Sequence, residues 1–172
     1  MNALDRPDPA EVPAFYHGYI ALAPGHDLVR AIHDASDRER TTLARITPDL
    51  GDHRYAPGKW SVKEVIQHVI DAERIFAYRA LRFARNDATE LAGFDENTYA
   101  PNAQVDRREL VELTRELELV RACSTALFQS FSTEMLLRTG TANGNRISVR
   151  GLGWVIAGHT THHMNVLEQR YL

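Results

Sequence analysis

The sequence predicts an all-α protein built as a four-helix bundle. Three observations carry this: four long segments with apolar residues at helical spacing, a heptad-like seam on the third, and a long connection between the second and third. The 172 residues, 44% hydrophobic and 25% charged, suit a single globular domain over 1–172 with one sizeable core.

Residues 1–12, rich in Pro, Asp and Glu, read as a loose arm. Phe15-Tyr16-His17-Gly18-Tyr19-Ile20 reads as a helical turn laid against the body and ended by Pro24-Gly25. The first long helix runs from about Asp27 to Ile46, with Leu28, Ile32, Ala35, Leu43 and Ile46 on one face, and stops before Pro48. The second opens at Ser61. There Ser61-Val62-Lys63-Glu64 fits a capping box, in which hydroxyl and carboxylate satisfy orphan backbone N–H groups, and the helix continues to about Arg85. Asn86 to Val105, with Gly93 and Pro101, is too long for a tight hairpin and suits a crossover along the bundle. The third helix begins after Asp106 and repeats Leu110, Leu113, Leu117, Val120, Ser124, Leu127 and Phe131 at intervals of three and four. Asn143-Gly144 is a turn signal suited to a small β-hairpin. The fourth helix opens near Ser148 and carries Leu152, Val155, Ile156, Val166 and Leu167 to the C-terminus.

Charge and composition narrow the function classes. With 23 acidic and 20 basic side chains the net charge is -3, which argues against a nucleic-acid partner held by phosphate neutralisation. No apolar run approaches the roughly 20 residues of a membrane span, and the N-terminus lacks the apolar core of a signal peptide. One cysteine, Cys123, excludes an internal disulfide and fits a reducing cytoplasm; beside the third-helix seam it reads as a small buried hydrophobe. Trp60 and Trp154, near the starts of their helices, read as packing anchors, with the lining of a pocket as a second role. The charges from Asp37 to Arg40 and from Arg115 to Glu118 read as solvated helix surface.

Eight histidines stand out, and the last helix holds Gly158-His159-Thr160-Thr161-His162-His163. At about 100° per residue, His159 and His163 fall about 20° to either side of Leu152, and His162 about 80° away. Two imidazoles four residues apart on an apolar face can converge on one divalent cation. Burial disfavours their charged form, and neutral imidazole is the commonest metal ligand. The plainer alternative is a pair of packed histidines, each hydrogen-bonded to a neighbour. A third ligand must come from another helix, and spacing leaves it open between two residues of the second. Glu73 sits near the centre of the stripe Val62, Ile66, Val69 and Ala80, whereas His68 lies on its flank. A glutamate among apolar residues needs a metal, a histidine N–H or an arginine such as Arg74 or Arg79. Arg79 and Arg82 could also bind a substrate carboxylate, pair with Glu73 or lie in solvent. Asp95 and Glu96, in the crossover, could supply a general base or lie on a solvated loop. His17, His26, His33 and His53 fall in loops or polar stretches and take no role.

The stretch from Tyr55 to Glu73, YAPGKWSVKEVIQHVIDAE, resembles the start of the second helix in the DinB/YfiT-like superfamily, and Gly158 to His163 resembles that superfamily's last-helix motif. Phe94-Asp95-Glu96-Asn97 and Tyr19-Ile20-Ala21-Leu22 are similar to its members as well, so the resemblance spans nearly the whole chain. It implies a four-helix bundle with a long crossover, commonly a homodimer, and a divalent metal such as zinc, nickel or iron held by three histidines. Carried over position by position, these are His68, His159 and His163. Glu73, His162 and Arg79 then become candidates for supporting roles, with His159 and His162 as an alternative ligand pair. Characterised members include transferases and isomerases that use low-molecular-weight thiols. The expectation is a cytoplasmic metal-dependent enzyme that activates such a thiol towards a small-molecule substrate. Metal-dependent hydrolysis is the alternative, as is a non-catalytic dimer with a structural metal.

Overall fold

A computed structural model describes residues 3–172. A short helix, α1 (His17–Leu22), precedes α2 (Leu28–Leu43), α3 (Val62–Ala84), α4 (Glu96–Asn102), α5 (Leu110–Gln129) and α6 (Thr133–Leu137). The hairpin β1 (Thr139–Ala142) and β2 (Asn145–Ser148) then leads into α7 (Val149–Arg170). Three of the four long helices begin at a residue whose side chain caps them. Asp27 accepts from the Arg30 N–H to open α2, Ser61 and Glu64 form the expected capping box on α3, and Ser148 accepts from the Gly151 N–H on α7. The turn at Asn143-Gly144 has both residues at positive φ, and β1 pairs antiparallel with β2.

The four long helices form a ring in which α7 packs on α2 and α3, and α5 packs on the same two. The last helix is therefore wedged between the first two, and α1 lies along its remaining side. Every residue from Val149 to Thr161 is buried, which leaves that half of α7 without a polar face. At Gly158 the α1 backbone comes so close that a Cβ would overlap the Tyr19 carbonyl.

Two apolar clusters fill the bundle. One gathers Leu28, Ile32, Phe76, Phe83, Leu152 and Trp154; the other gathers Val65, Ile66, Val69, Leu113, Leu117 and Leu167. Between them runs a belt of buried polar side chains, to which each long helix contributes: Glu39 from α2, Glu73 from α3, Arg121 from α5, and His159, Thr160 and His163 from α7. The histidines thus lie at the waist of the molecule.

Several expectations need correction. Residues 3–12 are docked, not loose: Ala3 and Val12 are buried, and Trp154 donates to the Asp5 carbonyl at 3.2 Å. Arg6 donates to the carbonyls of Ile20 and Ala23, and Glu11 accepts from Arg150 Nε at 2.8 Å. Composition registered the polar residues of this segment but not the buried groups they satisfy; residues 1–2 of the expected arm lie outside the described residues. The crossover is not bare loop but carries α4, capped by Asp95, whose carboxylate accepts from the Asn97 N–H. On α5, Leu110, Leu113, Leu117 and Ser124 are buried as expected, and so is Phe131 just beyond it, but Arg121 and Phe128 turn inward in place of Val120 and Leu127. A straight helix of 3.6 residues per turn drifts off a strict heptad, so Val120 and Leu127 end half-buried. Cys123 is correspondingly exposed. Glu39, expected in solvent with Asp37 and Arg40, is buried on the same face as Ala35 and Leu43.

Candidate metal centre

The ring order explains how α3 uses two faces. Glu73 turns towards α5, and His68 turns towards α7, where it meets the pair one helical turn apart. Nε2 of His159 lies 3.0 Å from Nε2 of His68 and 3.1 Å from Nε2 of His163. One ring nitrogen from each of the three falls within 4.8 Å of the others, an arrangement that could hold a metal ion. Imidazole nitrogens about 2.0–2.1 Å from one tetrahedral zinc stand about 3.3 Å apart, within a few tenths of an ångström of these separations. Each imidazole nitrogen has a single in-plane site, so one proton cannot satisfy both contacts at His159 Nε2, whereas one cation can. The residues fit the ion.

Burial sets the charge state. It lowers the His68 pKa to about 4, with Glu96 opposing the shift and His162 adding to it. His159 and His163 lie well below the usual histidine range, first through burial and then through neighbouring imidazoles; Arg121 adds to the shift at His159. All three are neutral at pH 7, the form a metal requires.

Behind them lies an ion network that spacing did not reveal. Arg121 Nε donates to Glu73 at 2.9 Å, and Nη2 donates to Glu73 Oε2 and to the Thr160 hydroxyl, both at 2.6 Å. The partner of Glu73 is therefore Arg121, not Arg74 or Arg79; Arg74 pairs with Glu116. Thr160 follows His159 in sequence, so the network braces the turn of α7 that carries His159. Glu39 Oε2 stands 3.4 Å from Arg121 Nη2 without a hydrogen bond, and burial with the nearby Glu73 pushes its pKa up to about 7 against the pull of Arg121. The missed signal was a charged residue on each apolar face, Arg121 four residues after Leu117 and Glu39 four after Ala35.

The histidine cluster forms one wall of a cavity of about 390 Å³. Trp60 packs against His68 with the rings tilted and their centroids 4.8 Å apart, and Tyr19 stands edge-on to His159 at 5.2 Å and to His162 at 5.3 Å.

A family model, the DinB superfamily, matches residues 31–167. The chain belongs to the DinB superfamily. No curated protein matches it in sequence. Among solved structures, this DinB-superfamily chain is similar to YfiT from Bacillus subtilis, described as a probable metal-dependent hydrolase with an unusual four-helix bundle topology. The TM-score is 0.72 at 14% identity, over 98% of this chain and 95% of that one. A protein from Streptococcus pneumoniae matches with a TM-score of 0.65 at 13% identity, over 91% and 99%. The colibactin self-resistance protein ClbS, solved in complex with a double-stranded DNA, matches with a TM-score of 0.60 at 18% identity, over 83% and 94%. At these identities the likeness is one of fold.

The remaining sequence candidates take definite places in the DinB bundle. His162, of the alternative ligand pair, is not part of the three-histidine cluster and lies half-buried, its ring roughly perpendicular to those of Tyr19 and His163. Arg79 is buried on the cavity wall, and Arg82 pairs with Asp87. Asp95 is spent as a helix cap, and Glu96 lies exposed on the cavity wall, on α4 and not on a bare loop. Trp154 is a packing anchor, and Trp60 lines the cavity. Among the described residues, no helix is long and apolar enough to cross a membrane.

Proposed function

We propose that this DinB-superfamily chain is a metal-dependent enzyme in which His68, His159 and His163 hold one divalent cation and a small-molecule substrate enters the adjoining cavity. The observation that carries this is the convergence of three neutral imidazoles, His159 and His163 buried and His68 half-buried, on an open cavity, with no carboxylate of the described residues in the cluster. A cation held by three neutral ligands keeps its full charge and an open position, and supplies the Lewis acidity that turns water or a thiol into a nucleophile near neutral pH. A structural ion, by contrast, usually has a closed shell of four protein ligands.

The preferred nucleophile is a low-molecular-weight thiol. A coordinated thiol loses its proton without help from a protein base, and among the described residues the only carboxylate on the cavity wall belongs to the exposed Glu96. Hydrolysis is the second reading, supported by the description of YfiT and by Glu96 as the group able to take a proton from water.

The test is turnover by metal-loaded protein. One assay follows consumption of small thiols with an electrophile, and the other follows hydrolysis of esters and amides. Thiol consumption abolished by a chelator and by His159→Ala supports the preferred reading. Hydrolysis abolished by the same treatments and by Glu96→Gln supports the second. Absence of both with zinc, nickel and iron contradicts the enzyme assignment.

A further inference from the structure

Three arginines are buried among the described residues, and two of them meet carboxylates: Arg121 meets Glu73, and Arg150 meets Glu11. Arg79 does not. Its side chain belongs to a residue only 5% exposed, its Nη2 donates to the Ala92 carbonyl at 2.9 Å, and its guanidinium lies beside the Tyr16 hydroxyl and 5.9 Å from the Phe94 ring centroid. No carboxylate of the described residues is within ion-pair distance of it. The two plainer roles open to this residue, a pair with Glu73 and a place in solvent, are both excluded by the geometry. A buried guanidinium is costly unless an anion joins it, and its planar fork matches a carboxylate.

The cavity says where such an anion would come from. His68, Ala72, Phe76 and Arg79 line it at intervals of four, four and three, so one face of α3 runs from the histidine cluster to the guanidinium. Eleven residues of ideal helix separate the two Cα atoms by about 16 Å, and the arginine stem leans back towards the helix N-terminus, in the direction of His68. The walls between are aromatic: Phe15, Tyr16, Tyr19, Trp60, Phe76 and Phe94.

We propose that this cavity takes a carboxylic acid with an aromatic or similarly apolar body, its carboxylate held by Arg79 and its other end presented to the histidine cluster. This rests on the cavity being the substrate site, as the proposed function has it. Arg79 is then a specificity-determining residue, and simple amines are rejected because the guanidinium repels them.

Binding without turnover tests it. Three matched probes, 4-phenylbutyrate, 4-phenylbutyramide and 4-phenylbutylamine, are titrated calorimetrically into the full chain, once stripped of metal and once loaded with zinc. The carboxylate should bind about tenfold or more tightly than the amide in both forms, as a charge-assisted fork contact predicts, and the amine should bind weakest. Arg79→Gln should erase the preference, Arg79→Lys should keep part of it, and His159→Ala should leave it in place. Equal affinity for the three probes on the wild-type chain, or no binding of any, overturns the proposal without recourse to a variant that fails to fold. A preference seen only with zinc, and lost in His159→Ala, also overturns it, because the ion and not Arg79 would then hold the carboxylate. If the chain binds no metal, the proposed function fails while the metal-free titration still decides this inference.

Discussion

Arg121 and Glu73, 48 residues apart, meet through three contacts of 2.6–3.1 Å with almost no exposure on either side. The same guanidinium holds Thr160, so one side chain joins α3, α5 and α7 beside His159. Removing one member leaves charges buried without compensation, which typically costs about 3–5 kcal/mol. Arg121→Met should therefore destabilise the chain by about that amount in urea unfolding. Replacing Glu73 with Met in the same chain should recover much of the loss; a double variant no more stable than Arg121→Met would contradict the pairing.

Glu39 gives the belt a pH dependence of its own. Its folded pKa of about 7 lies above the ordinary carboxylate value, so the folded state holds the proton more tightly than the unfolded chain. The stability this contributes is fully present below pH 4.5 and is lost as pH rises through about 7. The advantage of wild type over Glu39→Gln should accordingly shrink by up to about 3 kcal/mol between pH 4.5 and pH 8. Parallel stability curves for the two chains would exclude this role.

The cluster histidines act in the opposite direction. The metal-free chain should lose stability as pH falls from about 6.5 towards the His68 value of about 4, because the unfolded chain takes up protons that the buried rings refuse. Added zinc should raise the melting temperature at pH 7, and the gain should vanish over the same window as protons displace the ion. A zinc effect independent of pH would place the ion elsewhere.

Gly158→Ala tests the close approach of α1. The added methyl would overlap the Tyr19 carbonyl, and because the facing group is backbone, α1 must move. Overpacking of this kind costs about 1–3 kcal/mol, and the shift should loosen Tyr19 from His159 and His162. Accelerated hydrogen exchange confined to α1 and the facing turn of α7 is the expected signature; unchanged exchange would mean the contact is slack.

Much of the fold was legible because caps and breaks are local chemistry. Ser61 with Glu64, Asp27, Ser148 and the Asn143-Gly144 turn lie where short-range hydrogen bonding puts them. That His159 and His163 share one buried face of α7 was legible from spacing alone. His68 was not, since periodicity finds the centre of a helix's apolar stripe, and α3 has neighbours on both flanks of that centre, with Glu73 facing one and His68 the other. Arg121 and Glu39 were hidden because a charged residue on an apolar face becomes intelligible only beside its partner on another helix. The short α4 was hidden by Pro101, which lies within it.

The most direct measurement is metal stoichiometry by equilibrium dialysis against zinc, on protein without a histidine tag. One ion per chain is predicted for the wild type, falling below about a tenth of an equivalent in His68→Ala, His159→Ala and His163→Ala separately while helical content is retained. A wild-type chain that stays near zero in excess zinc, or variants that bind as the wild type does, would contradict the three-histidine centre.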